Sequence, residues 1–186
     1  MKIIRILVLV LLVSNLFGCA TLLAPSYSPD YETLDKLKKV NLQKIAVGDF
    51  QPSDPNVPLN KISLRAASLK APEGTFSVYL ENAIRSDLKE LGILDQASTT
   101  KLVATIIKND IDISGISKGS GILEANLTIS KNGNTTFNKV YSANTTFESS
   151  FAGAVAIGIG QKEYPNLVRA FLKQVYSDPD FISAVQ

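Results

Sequence analysis

Three observations predict an α+β fold with an antiparallel-rich sheet of about four strands and two helices packed on one face. Residues 76–91 and 163–176 carry apolar side chains at i, i+3 and i+4 spacings. Three long segments, 101–114, 121–131 and 135–148, alternate apolar and polar residues. Asn132-Gly133, the strongest hairpin signal in the chain, separates the last two. A strand, a helix, a meander of strands and a second helix bury their apolar faces most economically as one sheet covered on one side.

The first strand is expected over Gln43–Phe50, with Ile45 and Val47 on one face and Ala46, Gly48 and Phe50 on the other. Pro52, Pro55 and Pro58 make 51–60 an extended, exposed loop, and Ile62–Leu69 reads as a further strand or an ordered loop. Thr75 suits the N-cap of the first helix, because its hydroxyl accepts a hydrogen bond from a free backbone N–H. Phe76, Tyr79, Leu80, Ala83, Ile84, Leu88 and Leu91 form the buried stripe, and Gly92 fits the left-handed C′ position. Glu81, Arg85, Asp87, Lys89 and Glu90 fall on the solvated side.

In 101–114 the pattern places Val103, Ile107, Ile111 and Ile113 on one face. Leu123, Ala125, Leu127 and Ile129 point inward from the next strand, and Phe137, Tyr141, Ala143 and Phe147 from the one after. Matching these odd-numbered sets requires an odd-length turn, so Lys131-Asn132-Gly133 with a left-handed Gly133 is expected. The second helix is expected over Glu163–Tyr176, with Pro165 in its first turn. Its inward stripe is Leu167, Val168, Phe171, Leu172 and Val175, and Asp178-Pro179 stops it.

Ahead of these elements lie Lys2, Arg5, the aliphatic run Ile3–Val13 and Leu16-Phe17-Gly18-Cys19. That is the layout of a secretory signal, too short for the about 20 apolar residues of a bilayer-spanning helix. Leu16–Cys19 resembles the lipobox of bacterial lipoproteins, departing from it at Phe17, where a small or β-branched residue is usual. The resemblance implies cleavage before Cys19 and acylation of its thiol. With Ala20 rather than aspartate next, it also implies sorting to the outer membrane, facing the periplasm. More than one acyl chain is needed for a stable anchor, each buried methylene contributing about 0.8 kcal/mol. The expected organisation is a signal peptide over 1–18, a lipidated N-terminus and flexible tether over 19–41, and one α+β domain over 42–186.

The chain has 19 Lys and Arg against 17 Asp and Glu; without Lys2 and Arg5 it has 17 of each. No basic surplus remains to neutralise phosphates, which argues against nucleic acid as a partner. The absence of histidine excludes Ser-His-Asp catalysis, histidine metal sites and histidine bases. Asp110 and Asp112 share a strand face, as acid–base carboxylates can, but the pattern supplies no base partner, and they read as solvation of that face. The glycine-rich run 153–160 lacks the Gly-Lys-Ser/Thr of a phosphate loop. It reads as an apolar loop or strand on the sheet, with Phe151, Gly153, Val155, Ile157 and Ile159 as candidate contacts for a partner or acyl chain. Arg65 and Arg85 are candidates for anionic headgroups, and the sequons at Asn126, Asn134 and Asn144 read as polar strand faces. No catalytic residue, metal or cofactor is expected, and the chain reads as non-enzymatic.

From Phe76 onward the layout resembles the YajG-type uncharacterised bacterial lipoproteins. The shared features are the helix ending Leu88-Lys89-Glu90-Leu91-Gly92, the strand Leu102–Ile113, the Asn132-Gly133 hairpin followed by Lys139-Val140-Tyr141, and a closing helix. The resemblance covers over half of the mature chain, leaves Gln51–Leu69 unmatched, and supplies no catalytic residues. It implies a lipid-anchored protein facing the periplasm. The expected role is a binding or accessory module docking on an envelope protein of an assembly or transport system. The alternative is a carrier of an apolar, lipid-like ligand in a cleft near Phe151–Ile159.

Overall fold

The structure, a computed structural model, describes residues 20–186, so the signal segment and Cys19 lie outside the described residues. The order is β1 (Ala20–Leu23), α1 (Tyr31–Leu37), β2 (Ala46–Val47), a 3-10 turn (Pro58–Asn60), β3 (Ile62–Leu64), β4 (Ala67–Lys70), α2 (Phe76–Glu90), β5 (Thr100–Asp112), β6 (Lys118–Lys131), β7 (Asn134–Glu148), α3 (Gly153–Ser177) and α4 (Pro179–Val185). Strands β2-β5-β6-β7 form a four-stranded sheet, antiparallel except where β2 meets β5. A smaller sheet, β1-β4-β3, has β1 parallel to β4. The predicted α+β class therefore holds, with a second sheet and two short helices added.

Helix α2 follows its caps. Thr75 Oγ1 accepts from the Val78 N–H at 3.2 Å, and Gly92 takes φ +71°. Asp87, expected on the solvated side, is 1% exposed instead. It sits four residues after Ala83 and three after Ile84, within the apolar stripe.

The large sheet corrects two expectations with one device. β5 buries Leu102, Ala104 and Ile106, then Ile111, with Ile113 buried just past its end, so Val103 and Ile107 are not on its inner face. The register shifts between Ile106 and Lys108, leaving Ile107 as an unpaired bulge residue that moves the inward set from even to odd numbers. The β6–β7 turn is a two-residue turn, since Lys131 pairs with Asn134. Asn132 (φ +53°) and Gly133 (φ +81°) are both left-handed, as a type I′ turn requires. The expected inward set of β7 still holds, with Ile129 opposite Phe137, because Thr136 is bulged out and its Oγ1 donates to the Ile129 carbonyl at 3.3 Å.

The glycine-rich run is neither loop nor strand but the first turns of a 25-residue helix, and Pro165 lies inside that helix rather than in its first turn. Packing overrides the low helix propensity of glycine. A Cβ on Gly160 would lie 2.8 Å from Ile113 Cγ2 and 3.1 Å from Leu64 Cδ2, so glycine lets α3 approach both sheets. Phe76 and Tyr79 of α2 pack against Tyr164 of α3 at centroid distances of 4.5 and 5.1 Å, joining the two long helices. No helix among the described residues is long and apolar enough to cross a membrane.

Residues 20–41, expected as a flexible tether, are packed into the body. Ala24, Leu34 and Leu37 are buried. The Ala24 N–H donates to the Lys70 carbonyl at 2.8 Å, Tyr79 Oη donates to the Pro25 carbonyl at 2.7 Å, and Gln161 Nε2 to the Leu23 carbonyl at 2.8 Å. Pro25 and Pro29 set an extended strap across α2 and α3 rather than loose chain.

The 51–69 segment is held by two buried asparagines. Asn60 Nδ2 donates to the carbonyls of Pro52 (3.0 Å) and Asp54 (2.8 Å), while its Oδ1 accepts from the Phe76 N–H at 2.9 Å. Asn109 Nδ2 donates to the Leu59 carbonyl at 2.9 Å, and its Oδ1 accepts from Tyr164 Oη at 3.0 Å. Asn60→Ala would leave the Asp54 carbonyl and the Phe76 N–H without their partner, while Ser77 Oγ still donates to the Pro52 carbonyl, and is expected to cost about 1–3 kcal/mol in urea denaturation. Exposed Asn56→Ala should stay within about 0.5 kcal/mol.

Candidate functional site

Arg65 occupies the two-residue turn between β3 and β4 at φ +54°. Its guanidinium donates to four carbonyls: Ile113 from Nε at 3.1 Å, Phe151 from Nη1 at 3.0 Å, and Ser150 and Gly115 from Nη2 at 3.2 and 3.3 Å. These carbonyls lie at the end of β5 and just before α3, where backbone acceptors lack ladder or helix partners. The planar fork of arginine satisfies several at once. The Ser149 N–H donates to the Ser117 carbonyl at 2.8 Å, drawing the same two loops together.

On this frame the five predicted contact residues do not form one face. Phe151 precedes α3 and is 79% exposed. Gly153 opens the helix beside Arg65 Nη1, 3.7 Å from where its Cβ would be. Positions two apart on a helix point about 200° from one another, so the strand grouping of Gly153, Val155, Ile157 and Ile159 is replaced by helical grouping. Ala154, Val155, Gly158 and Ile159 share the outward side, Val155 being 53% exposed. A Cβ on Gly158 would meet nothing within 4 Å. Ala156 and Gly160 face inward and are buried, and Ile157 packs partly against the core.

Other candidate residues turn back on the protein. Arg85 Nε donates to Glu81 at 2.9 Å and Nη2 to the Val47 carbonyl at 2.7 Å. Asp110 and Asp112 do share the outer strand face, but each accepts from a nearby backbone N–H, of Ile111 (2.9 Å) and Ser114 (2.7 Å). Partial burial raises the Asp110 carboxyl, while the Ser114 amide lowers that of Asp112. Of the sequon asparagines, Asn134 and Asn144 are exposed on β7, and Asn126 is half-buried on β6. At the expected carrier cleft, Gly160 packs onto Ile113 and Leu64. Grooves of about 440 and 210 Å³ lie toward α4, the first beside Phe137 and Asp180, the second beside Leu37 and Ile182, and one of about 260 Å³ lies beside Lys118, Phe147 and Glu148.

A buried carboxyl escaped the sequence reading. Tyr27 Oη, from the strap, donates to Asp87 Oδ2 at 2.9 Å and to Oδ1 at 3.2 Å, linking residues 60 apart. Burial pushes Asp87 up to about 7, against the opposing pull of the Tyr27 hydroxyl. Its position on the apolar stripe of α2 was the available signal.

No family model and no curated protein matches the chain. Among solved structures, protein XCC0632 from Xanthomonas campestris, of the DUF330 family, aligns over 84% of this chain and 95% of its own at 10% identity and a TM-score of 0.54. The chain shares that fold. A protein from Caulobacter crescentus assigned as a lipoprotein has a TM-score of 0.45 at 10% identity, covering 83% of this chain and 96% of its own. A minor lipoprotein from Acinetobacter baumannii also scores 0.45, at 13% identity over 76% of this chain and 92% of its own.

The buried Asp87 makes stability pH-dependent with a definite sign. Its carboxyl moves from 3.8 to about 7 on folding. Between those values the folded chain holds a proton that the unfolded chain has lost, so stability falls as pH rises through the window. The slope limit for one such group is about 1.4 kcal/mol per pH unit. Urea midpoints measured from pH 4 to pH 7 should decline for the parent protein and flatten in Asp87→Asn.

Proposed function

We propose that the chain is a lipid-anchored, non-enzymatic binding module on the periplasmic face of the outer membrane, accessory to an envelope assembly or transport system. The anchor is supported by the aliphatic run ending Leu16-Phe17-Gly18-Cys19 and by the lack of aspartate at position 20. The docking role rests on the outward side of the first turns of α3. There Ala154 and Gly158 leave room for close backbone approach, and Val155 and Ile159 supply apolar contact. The same turns are fixed from behind by Gly160 and by the Arg65 carbonyl clamp, so the surface is preorganised.

Cross-linking of the tagged full chain in intact envelopes should recover one specific envelope protein. Gly158→Arg fills open space without touching the core and raises helix propensity, so it should fold normally and lose that protein. Equal recovery by the variant would contradict docking through this face. Recovery of lipid with no protein would favour the carrier.

A further inference from the structure

The strap leaves no slack between the expected anchor and the body. β1 is paired from Ala20 onward, and Ala20 is opposite Ala67, two residues past Arg65 in the β3–β4 turn. Cys19 is one Cα step from Ala20, about 3.8 Å, and Ala20 is one strand spacing from β4, about 4.8 Å. The pole that receives the anchor is thus the pole gathered by Arg65. Two large apolar side chains stand out from it: Ile116, 74% exposed in the β5–β6 loop, and Phe151, 79% exposed before α3. Both loops are fastened to the β3–β4 turn through Arg65, which donates to the Gly115 and Phe151 carbonyls.

We infer that this pole rests in the bilayer, with Ile116 and Phe151 entering the boundary between headgroups and acyl chains beside the lipid of Cys19. The inference rests on the anchor reading above and adds an orientation: β6 runs away from the membrane to the Asn132-Gly133 turn, and β7 returns from it. An apolar side chain held on a fixed loop next to an anchor gains burial with no further loss of chain freedom. Charge does not drive the contact. Arg65 and Lys118 at this pole are balanced by Asp112 and Glu148, Lys118 and Glu148 being directly cross-strand. The Arg65 guanidinium is already committed to four carbonyls. The contact therefore forms on zwitterionic lipid and is insensitive to salt.

The test uses the full chain matured in cells, purified from membranes with its anchor and reconstituted in phosphatidylcholine vesicles. Ile116→Cys, Phe151→Cys and Asn134→Cys are made singly and labelled with a small thiol-reactive fluorophore, the Cys19 thiol being blocked by its lipid. Both loop positions are exposed, so the substitutions leave the core intact. The probes at 116 and 151 should be quenched several-fold more by nitroxide on the upper acyl chain than the probe at 134. They should also be shielded from aqueous iodide, with or without added salt. Mass spectrometry of the N-terminal fragment separates the two readings. With Cys19 acylated, equal iodide access at 116, 151 and 134 would overturn the orientation while leaving the anchor. An unmodified Cys19 would overturn the anchor and the orientation with it.

Discussion

One guanidinium joins three segments far apart in sequence by bonding to their backbone carbonyls. Arg65 binds carbonyls of residues 113, 115, 150 and 151, each at or just beyond the end of a regular element. Those acceptors would otherwise need water. Satisfying them together fixes where β5 ends and where α3 begins relative to the small sheet. Lysine could not replace this, because an ammonium lacks the planar fork that addresses several acceptors at once.

The clamp, the β1–β4 pairing and the Ser149–Ser117 backbone bond together organise that pole. The strap enters beside β4, the β5–β6 loop and the start of α3 are drawn to the same corner, and Ile116 and Phe151 are left facing outward because the backbone beneath them is fixed. The outward side of α3 adjoins the same corner. The surface proposed to meet a protein and the surface proposed to meet the bilayer are thus neighbours on one frame, as a module working at a membrane requires.

Much of the fold was legible where a local rule decides it. Thr75, the stripe from Phe76 to Leu88 and Gly92 mark α2 from cap to cap, and the inward residues of β6 and β7 follow from alternation. Alternation fails at Ile107 and Thr136, because a single bulged residue moves a whole strand segment to the opposite parity and nothing at either position announces it. The start of α3 was hidden for a different reason. Its run of glycine, alanine, valine and isoleucine has no amphipathic contrast, and the contacts that select a helix come from Leu64 and Ile113, distant in sequence. At the site, the residue types were readable and their grouping was not: strand parity joined Gly153 and Ile157 to Val155 and Ile159, whereas the helix sets Val155 and Ile159 beside Ala154 and Gly158. Asp87 was missed because its charge was weighed above its place on the stripe.

The central claim is that the packed body begins immediately after Cys19. Amide hydrogen exchange resolved to residues 20–37 in the native, full chain tests it most directly. The account predicts that the Ala24 amide, bonded to the Lys70 carbonyl, and the last-turn amides of α1 are protected to the same order as those of α2. Exchange of residues 20–37 at the rate of an unstructured chain, while α2 stays protected, would contradict it. The segment would then be a tether, and the body would hang free of the membrane.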